Sequence, residues 1–165
     1  FAIGAPYEQA AAERDVAVLR EVVEVNFTTP ARWVMAIANR LEARGSGSLV
    51  VVGSVSGDRG RRRNHAYGAA KAGLATLVEG VAHRFALRFP GGGPRAVVVK
   101  PGPSGKRDAA AKSRGFLLSS PLTVARAVRR AADRGGPVRY APWWWRPVMA
   151  MVRLMPWMIV RRLDI

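Results

Sequence analysis

The sequence predicts an α/β fold in which a doubly wound parallel sheet carries helices on both faces. Two short valine-rich runs, "SLVVVGS" at residues 48–54 and "RAVVVK" at residues 95–100, lack polar alternation, which is typical of strands buried on both faces. Helical patterns separate these runs along the chain. Strands that alternate with helices form parallel sheets through right-handed crossovers, so this order predicts the fold class.

Two helices are expected before the first strand. Between residues 7 and 25, small and apolar side chains recur at helical intervals, which predicts the first helix. The second is expected from Ala31 to Ala43, because Pro30 suits the first turn of a helix and Gly45 suits its end. The first strand is then expected from Ser48 to Ser54.

A polar loop, "VSGDRGRRRNH", leads from the first strand to a long helix expected from about Ala66 to Phe89. The run "PGGGP" ends that helix and precedes the second strand, Arg95 to Lys100. Next, "SPLTVARAVRRAADRGG" predicts a helix that begins near Pro121 or Thr123, and "VRYAP" predicts a third strand.

We assign residues 1–142 to one domain and residues 143–165 to a tryptophan- and arginine-rich tail of the same domain. Aromatic and methionine side chains beside arginines suit a membrane interface or a groove for a prenyl chain. Ordinary packing or a dimer interface explains the same apolar residues. Prolines and an arginine interrupt the tail, so no apolar run reaches the roughly 20 residues of a membrane-spanning helix.

Charge and cysteine content narrow the function classes. The 165-residue chain has 27 basic and 11 acidic residues, a formal charge of +16, which favours an anionic partner such as acidic lipid, nucleic acid or a phosphorylated substrate. The basic residues are scattered over loop, helices and tail, which disfavours nucleic acid. The absence of cysteine excludes disulfides, thiolate metal sites and a cysteine nucleophile, and no metal site is predicted.

The stretch "NHAYGAAKAGL" places Tyr67 and Lys71 four residues apart at the start of the long helix, where both project from one face. Alone, such a pair is frequent by chance. Ser54, however, ends the first strand, and Pro101 follows the second, at the strand ends where open α/β sheets bind their ligands. Two strand ends and one helix start are therefore expected to surround a single crevice.

The order and spacing of these residues along the chain resemble the pattern of the short-chain dehydrogenase/reductase family. The matching residues are Asn26, Ser54, Tyr67, Lys71, Pro101 and Gly102. The resemblance implies a Rossmann-like fold, NADH or NADPH as cofactor, and reduction of a ketone. Hydride transfer leaves an alkoxide that needs a proton, and a tyrosine with a pKa near ~10 gives up its proton slowly unless a nearby cation lowers that pKa.

The family's mechanism then implies a role for each matching residue. Tyr67 is the proton donor, Lys71 supplies the cation and binds the nicotinamide ribose, Ser54 polarises the carbonyl, and Asn26 holds a water. Cofactor contacts are implied for Tyr67, Lys71, Pro101 and Gly102. Ser56 is the rival for the serine role, although "GSVSG" favours Ser54, and a helix cap or turn is the alternative role for Asn26.

Two features depart from the family's pattern. No glycine-rich strand-to-helix turn for the cofactor pyrophosphate precedes Asn26, so we expect the N-terminal half of the fold to be absent and the chain to be inactive alone. Lys106 stands where the family has a threonine that contacts the nicotinamide.

Within the family, "SGDRGRRRNHAYGAAKAGL" and the tail resemble the decaprenylphospho-β-D-erythro-pentofuranosid-2-ulose 2-reductases, which reduce a lipid-linked keto sugar for cell-wall arabinan precursors. This resemblance implies a flavin oxidase as partner and a cytoplasmic location. Peripheral contact with the inner membrane and a homo-oligomer are further possibilities. The substrate phosphate would meet the loop arginines, Arg59, Arg61, Arg62 and Arg63, which a solvated basic loop explains equally well. The alternatives are a reductase of soluble ketones or alcohols and a non-catalytic basic fragment that binds membrane or nucleic acid.

Overall fold

The computed structural model describes residues 4, 5, 7–103 and 119–163. Its strands are β1 (Ser48–Val52), β2 (Arg95–Pro101) and β3 (Val138–Ala141). Its helices are α1 (Gln9–Arg14), α2 (Val16–Val23), α3 (Thr29–Arg44), α4 (His65–Arg88), α5 (Pro121–Arg134), α6 (Trp145–Leu154) and α7 (Trp157–Val160). A π-helical turn covers Glu24–Thr28, and a 3-10 turn covers Val55–Gly57.

The three strands form a parallel sheet in the order β1-β2-β3. Val50 pairs with Val97, and Val98 pairs with Val138, so β2 lies in the middle. All carboxyl ends therefore meet at one edge, and the predicted fold class is confirmed.

Alternate residues of β1 and β2 pack on opposite faces of the sheet. Leu49, Val51 and Val98 lie in a cluster with the buried side chains of α3 and α4, of which Phe85 is the largest. Val50, Val97 and Val99 pack instead against α5. Because helices cover both faces, neither set of positions tolerates polar side chains, which explains the unbroken apolar runs.

The first helical region differs from its prediction as one helix over residues 7–25. The break lies at Asp15, whose backbone is extended and whose side chain accepts a hydrogen bond from the Ala17 amide at 2.7 Å, as an N-cap does. From Val16 the helical backbone then continues through the π-helical turn to Arg44. The predicted boundary before Pro30 is therefore wrong, since the turn of Glu24–Thr28 accommodates the proline in the first turn of α3.

Other predicted boundaries agree more closely. α4 begins and ends within one residue of the predicted helix, and α5 begins at Pro121 with Ser120 as its N-cap. β1 is two residues shorter than predicted and ends at Val52.

The tail forms α6 and α7, after a cis peptide bond between Ala141 and Pro142. Trp145 and Met149 on α6 are buried against Val55, which lies just beyond β1. The tail thus packs on the loop that follows the first strand. Among the described helices, none has the length and hydropathy needed to cross a bilayer.

Candidate active site

Ser54 and Gly102 leave the sheet at the same edge. The Gly53 amide donates to the Val99 carbonyl at 2.8 Å, which continues the β1–β2 ladder one residue beyond β1. The Gly102 amide likewise donates to the Ala141 carbonyl at 3.1 Å. The two strand ends predicted to border a crevice are therefore neighbours in the fold.

The turn that carries Ser54 packs directly on the first turns of α4, and two glycines allow this approach. A Cβ at Gly57 would lie 2.7 Å from the Ala72 amide nitrogen, and a Cβ at Gly68 would lie 2.8 Å from the Ser56 carbonyl oxygen. Backbone therefore meets backbone, with no side chain between them. This contact sets the distance between Ser54 on the turn and Tyr67 on the helix.

Ser54 is the serine that contacts the predicted proton donor. Its side chain hydrogen-bonds Tyr67, and its hydroxyl oxygen also accepts from the Ser56 amide at 3.1 Å. The hydroxyl of Ser56 instead accepts from the Asn64 side chain at 3.3 Å. The geometry brings Ser54 and Tyr67 together and directs Ser56 elsewhere.

The electrostatic environment of Tyr67 differs from the sequence-based expectation. Burial raises the pKa of Tyr67 above its ordinary value, and the hydrogen bond from Ser54 only partly opposes that rise. The expected lowering of this pKa by Lys71 is therefore wrong for this structure, because desolvation of the phenol dominates. Tyr67 stays protonated at neutral pH, which is the form that donates a proton.

Lys71 lies beside Tyr67 and is buried, with 3% of the residue exposed. Its Nζ atom lies 5.7 Å from the centroid of the Tyr67 ring. Burial lowers the pKa of Lys71, since a poorly solvated site disfavours the ammonium ion. The pair predicted from four-residue spacing thus shares one buried environment.

Asn26 is fully buried in the π-helical turn. Its Nδ2 atom donates to the carbonyls of Val22 and Ala5, both at 3.0 Å, and its Oδ1 atom accepts from the Ala5 amide at 3.2 Å. These bonds anchor the segment at Gly4 and Ala5, a tertiary contact that differs from the helix cap or turn considered as the alternative. The predicted role in holding a water stays a prediction.

Gly4 brings Asn26 and Lys71 into one neighbourhood, a contact that sequence reasoning missed. A Cβ at Gly4 would lie 2.5 Å from Lys71 Nζ and 2.9 Å from Asn26 Oδ1. The backbone of Gly4 therefore fills the space between the amide and the ammonium group. Nothing in the sequence around this glycine distinguishes it from a glycine in an ordinary turn.

Sequence reasoning also missed a buried polar cluster at the strand ends. Lys100 Nζ and Asp58 Oδ1 form an ion pair at 2.6 Å, and the Tyr140 hydroxyl donates to Asp58 Oδ2 at 2.8 Å. Burial raises the pKa of Tyr140, and its hydrogen bond to Asp58 raises it further. The available signal was Lys100 itself, since a lysine in a buried strand needs a partner.

The loop arginines have different environments. Arg59 Nη1 donates to the carbonyls of Val152, Arg153 and Met155 at 2.6, 2.9 and 2.7 Å, so it caps the end of α6. These bonds give Arg59 a structural role, and its expected phosphate contact stays a prediction. Arg63 is exposed and is not among the residues that line the cavity described next.

Arg61 and Arg62 line a cavity of about 630 Å³ between the loop and α7. Across it lie Trp157 and two further arginines, Arg161 and Arg162. Burial lowers the pKa of Arg61, and the nearby Asp58 partly offsets this. We call this cavity the arginine cleft.

A larger cavity of about 730 Å³ lies along α5 and β3. Its lining includes none of the four predicted catalytic residues. Size therefore does not identify the catalytic site in this fold.

Among the predicted cofactor contacts, Gly102 packs against the indole of Trp145, which a Cβ at this position would overlap. The Nε1 atom of Trp145 is buried and makes no hydrogen bond among the described residues. Pro101 is half-buried as the last residue of β2. Lys106, expected to replace a threonine, lies outside the described residues.

Comparison with known proteins gives related sequences over most of the chain. Residues 3–104 match the protein family described as short chain dehydrogenase. An uncharacterized oxidoreductase of Mycobacterium tuberculosis is 35% identical over 164 residues, which are 99% of this chain and 64% of that protein. The cis-4-hydroxycyclohexanecarboxylate dehydrogenase of Sinomonas cyclohexanicum is 37% identical over 90 residues, or 54% of this chain and 34% of that protein. This chain thus spans less than two thirds of the length of these relatives.

Solved structures share the architecture. The crystal structure of a short-chain dehydrogenase from Streptomyces avermitilis superposes with a TM-score of 0.71 at 26% identity. The match covers 97% of this chain and 68% of that chain. Sequence and structure comparisons therefore agree over nearly the whole length of this chain.

Proposed function

The chain belongs to the short-chain dehydrogenase family, and on that basis we propose that the protein is a nicotinamide-dependent oxidoreductase that interconverts a carbonyl group and an alcohol. The observation that carries the proposal is the hydrogen bond between Ser54 and Tyr67 beside the buried Lys71. These groups lie where the strand ends of an open α/β sheet form a ligand crevice.

In the direction of reduction, Tyr67 donates its phenolic proton to the oxygen that becomes the alcohol. Because burial holds the pKa of Tyr67 above its ordinary value, the proton is present throughout the neutral range. When a carbonyl substrate is bound, the Ser54 hydroxyl can turn its single proton from Tyr67 to the carbonyl oxygen, which polarises the carbonyl and orients it toward the proton donor. Lys71 lies close enough to stabilise the phenolate as it forms, and this stabilisation grows in a poorly solvated site.

The residues present fit a nicotinamide nucleotide in part. The Lys71 ammonium and the Tyr67 hydroxyl suit a ribose, and the buried, unsatisfied Trp145 Nε1 next to Gly102 offers a donor at the strand end. When bound, such a cofactor supplies or accepts the hydride. The sequence contains no glycine-rich strand-to-helix turn before Asn26, and we assign no residue of this chain to the pyrophosphate.

For the substrate, we propose a keto sugar linked to a polyprenyl phosphate. The arginine cleft supports this assignment, because Arg61, Arg62, Arg161 and Arg162 can bind a phosphate while Trp157 offers an apolar wall. Arg59 and Arg63 are not needed for it. The partner flavin oxidase and the homo-oligomer expected from the sequence stay predictions.

A second candidate is a soluble cyclic alcohol or ketone. The relative from Sinomonas cyclohexanicum, 37% identical over 90 residues, is named for a hydroxycyclohexanecarboxylate. A carboxylate on such a substrate would also suit a basic protein surface. The two candidates differ in whether activity needs the lipid chain.

The proposal is tested by following nicotinamide absorbance with the complete gene product and with residues 1–165 alone. The substrates are a short-chain polyprenylphosphoryl keto sugar and a cyclohexanone carboxylate. Tyr67→Phe should lower kcat by about 10² to 10⁴, because it removes a general acid while keeping the ring. Activity on the soluble ketone alone would favour the second candidate.

Matched variants separate chemistry from folding. Ser54→Ala should impair turnover strongly, while Ser56→Ala two residues away should change it little. Tyr7→Phe serves as the control for Tyr67→Phe. Wild-type turnover in Tyr67→Phe would refute the proposed mechanism.

A further inference from the structure

The end of the chain exposes an unusual run of large apolar side chains. On α6, α7 and the residues after them, Leu154 is 84% exposed, Trp157 70% and Met158 68%. The same stretch also exposes Met151, Ile159 and Leu163. We call these six side chains the tail surface. Such a concentration on a folded surface marks an interaction site.

The exposure does not come from a loosely attached segment. The opposite side of the same helices is buried, through Trp145 and Met149 on α6 and Val160 on α7. Arg59 also holds the end of α6 through hydrogen bonds of 2.6 to 2.9 Å to three carbonyls. The tail surface is therefore presented outward by a packed support.

Arginines are interspersed with the side chains of the tail surface. From residue 146 to residue 163 every charged side chain is an arginine, namely Arg146, Arg153, Arg161 and Arg162. The arginine cleft adjoins this stretch and contributes Arg61 and Arg62. Exposed apolar side chains interspersed with arginines are the composition of segments that lie in the interface of an anionic membrane.

The charge pattern also distinguishes between occupants. Two copies of this chain meeting through the tail surface would bring arginines against arginines, which repel. A nucleic acid would use the cations but would leave the methionines and leucines in water. An anionic bilayer satisfies both, since lipid phosphates bind arginine and the headgroup boundary accepts tryptophan and aliphatic side chains.

We propose that the tail surface and the arginine cleft form an interfacial docking surface for an anionic phospholipid bilayer. The apolar side chains enter the boundary between headgroups and acyl chains, and the arginines bind lipid phosphates. The proposal goes beyond the oxidoreductase function and shares with it only the arginine cleft, which would bind a phosphate in both. Vesicle binding can be tested separately, because it needs neither cofactor nor carbonyl substrate.

The test is flotation of the purified complete gene product with vesicles of phosphatidylcholine alone or of phosphatidylcholine with phosphatidylglycerol. We expect binding to the anionic vesicles that falls as salt rises, and much weaker binding to the neutral ones. Tryptophan fluorescence should shift to shorter wavelength on binding. Equal binding to both vesicle types, or none to either, would overturn the proposal.

Matched double variants localise the binding. Trp157→Ser with Met158→Ser should weaken vesicle affinity by about tenfold or more, because two large apolar side chains no longer leave water. Trp33→Ser with Met35→Ser changes the same residue types at exposed positions on α3, whose neighbours are α4 and β1, and should leave affinity unchanged. Equal losses in both would contradict the assignment.

A second pair tests the charges. Arg161→Gln with Arg162→Gln should reduce binding to anionic vesicles and flatten its salt dependence, whereas Arg40→Gln with Arg44→Gln on α3 should not. Circular dichroism verifies folding, and Leu154→Ser, the most exposed position, provides an independent single variant. If tail variants dissociate a homo-oligomer in light scattering but leave vesicle binding intact, the surface serves self-association and the membrane proposal fails.

Discussion

Asp58→Asn is the substitution whose consequence the structure specifies most fully. The Asp58 carboxylate joins Lys100 at the end of β2 to Tyr140 on β3, through contacts of 2.6 and 2.8 Å. The side chains of the ion pair are 7% and 1% exposed. Asparagine keeps the shape and an oxygen for the Tyr140 hydroxyl but removes the charge, so the substitution isolates the ion pair.

The expected cost follows from the uncompensated charge left on Lys100. Removing one partner of a buried ion pair destabilises a protein by about 3–5 kcal/mol, because the other charge stays buried. The free energy of unfolding of a domain is about 5–15 kcal/mol in total, so Asp58→Asn should remove a large part of it. Lys100→Met should cost a comparable amount, while the double variant should cost less than the sum of the two.

The assay is urea unfolding, followed by circular dichroism, of the four proteins of this cycle. A coupling of at least about 1 kcal/mol between the two positions is expected. As an independent readout, the absorbance titration of tyrosinate should show a lower pKa for Tyr140 in Asp58→Asn, since the carboxylate helps raise that pKa. An Asp58→Asn protein within about 0.5 kcal/mol of wild type, or additive effects in the cycle, would refute the reasoning.

Three further substitutions test other parts of the site. Arg59→Met should lower the free energy of unfolding in urea by about 1–3 kcal/mol, because three carbonyls at the end of α6 lose a charged donor. An unchanged unfolding midpoint would contradict this capping role. Burial lowers the pKa of Lys71 in the folded protein. Between this pKa and the higher pKa of the unfolded chain, the unfolded chain binds more protons, so the free energy of unfolding rises with pH in that range. Lys71→Met should therefore have a higher melting temperature than wild type at neutral pH, and the difference should shrink toward a pH of about 10.4. A lower melting temperature of Lys71→Met at neutral pH would contradict this prediction. Gly102→Ala should lower the free energy of unfolding by about 1–3 kcal/mol, because the new methyl group would overlap Trp145. If Gly102→Ala costs as much in a Trp145→Phe background as in wild type, overlap with Trp145 is not the cause.

Local patterns in the sequence determined most of the fold. The valine runs predicted β1 and β2 because both faces of the sheet are buried, and the length of α4 followed from its spacing and from "PGGGP". The break at Asp15 could have been predicted, since an aspartate before "VAV" is an N-cap signal. The continuous helix through Asn26 could not, because the π-helical turn depends on bonds from Asn26 to Ala5, far away in the chain.

The site was predictable where its geometry comes from one element or one motif. The four-residue spacing of Tyr67 and Lys71 places them on one helix face, and "GSVSG" selected Ser54. The partner of Lys100 was not predictable, because Asp58 reaches it only through the tertiary path of the loop. The direction of the Tyr67 pKa shift also depended on burial, which the sequence does not give.

Among the described residues, two tyrosine–lysine pairs lie at the same edge of the sheet, and distance alone does not distinguish them. Lys71 Nζ lies 5.7 Å from the Tyr67 ring centroid, and Lys100 Nζ lies 5.9 Å from that of Tyr140. Their hydrogen bonds do distinguish them. Tyr140 donates to a carboxylate that also binds Lys100, and this bond adds to burial in raising the pKa of Tyr140.

Tyr67 is bonded instead to the neutral hydroxyl of Ser54, which opposes the effect of burial on its pKa. A proton that a carboxylate already holds is costly to transfer. The Tyr67 proton is not held in this way, because Ser54 donates to Tyr67, so it can pass to a substrate oxygen. Charge on the hydrogen-bond partner, rather than proximity of a lysine, therefore favours a structural role for Tyr140 and supports the proposal that Tyr67 is the proton donor.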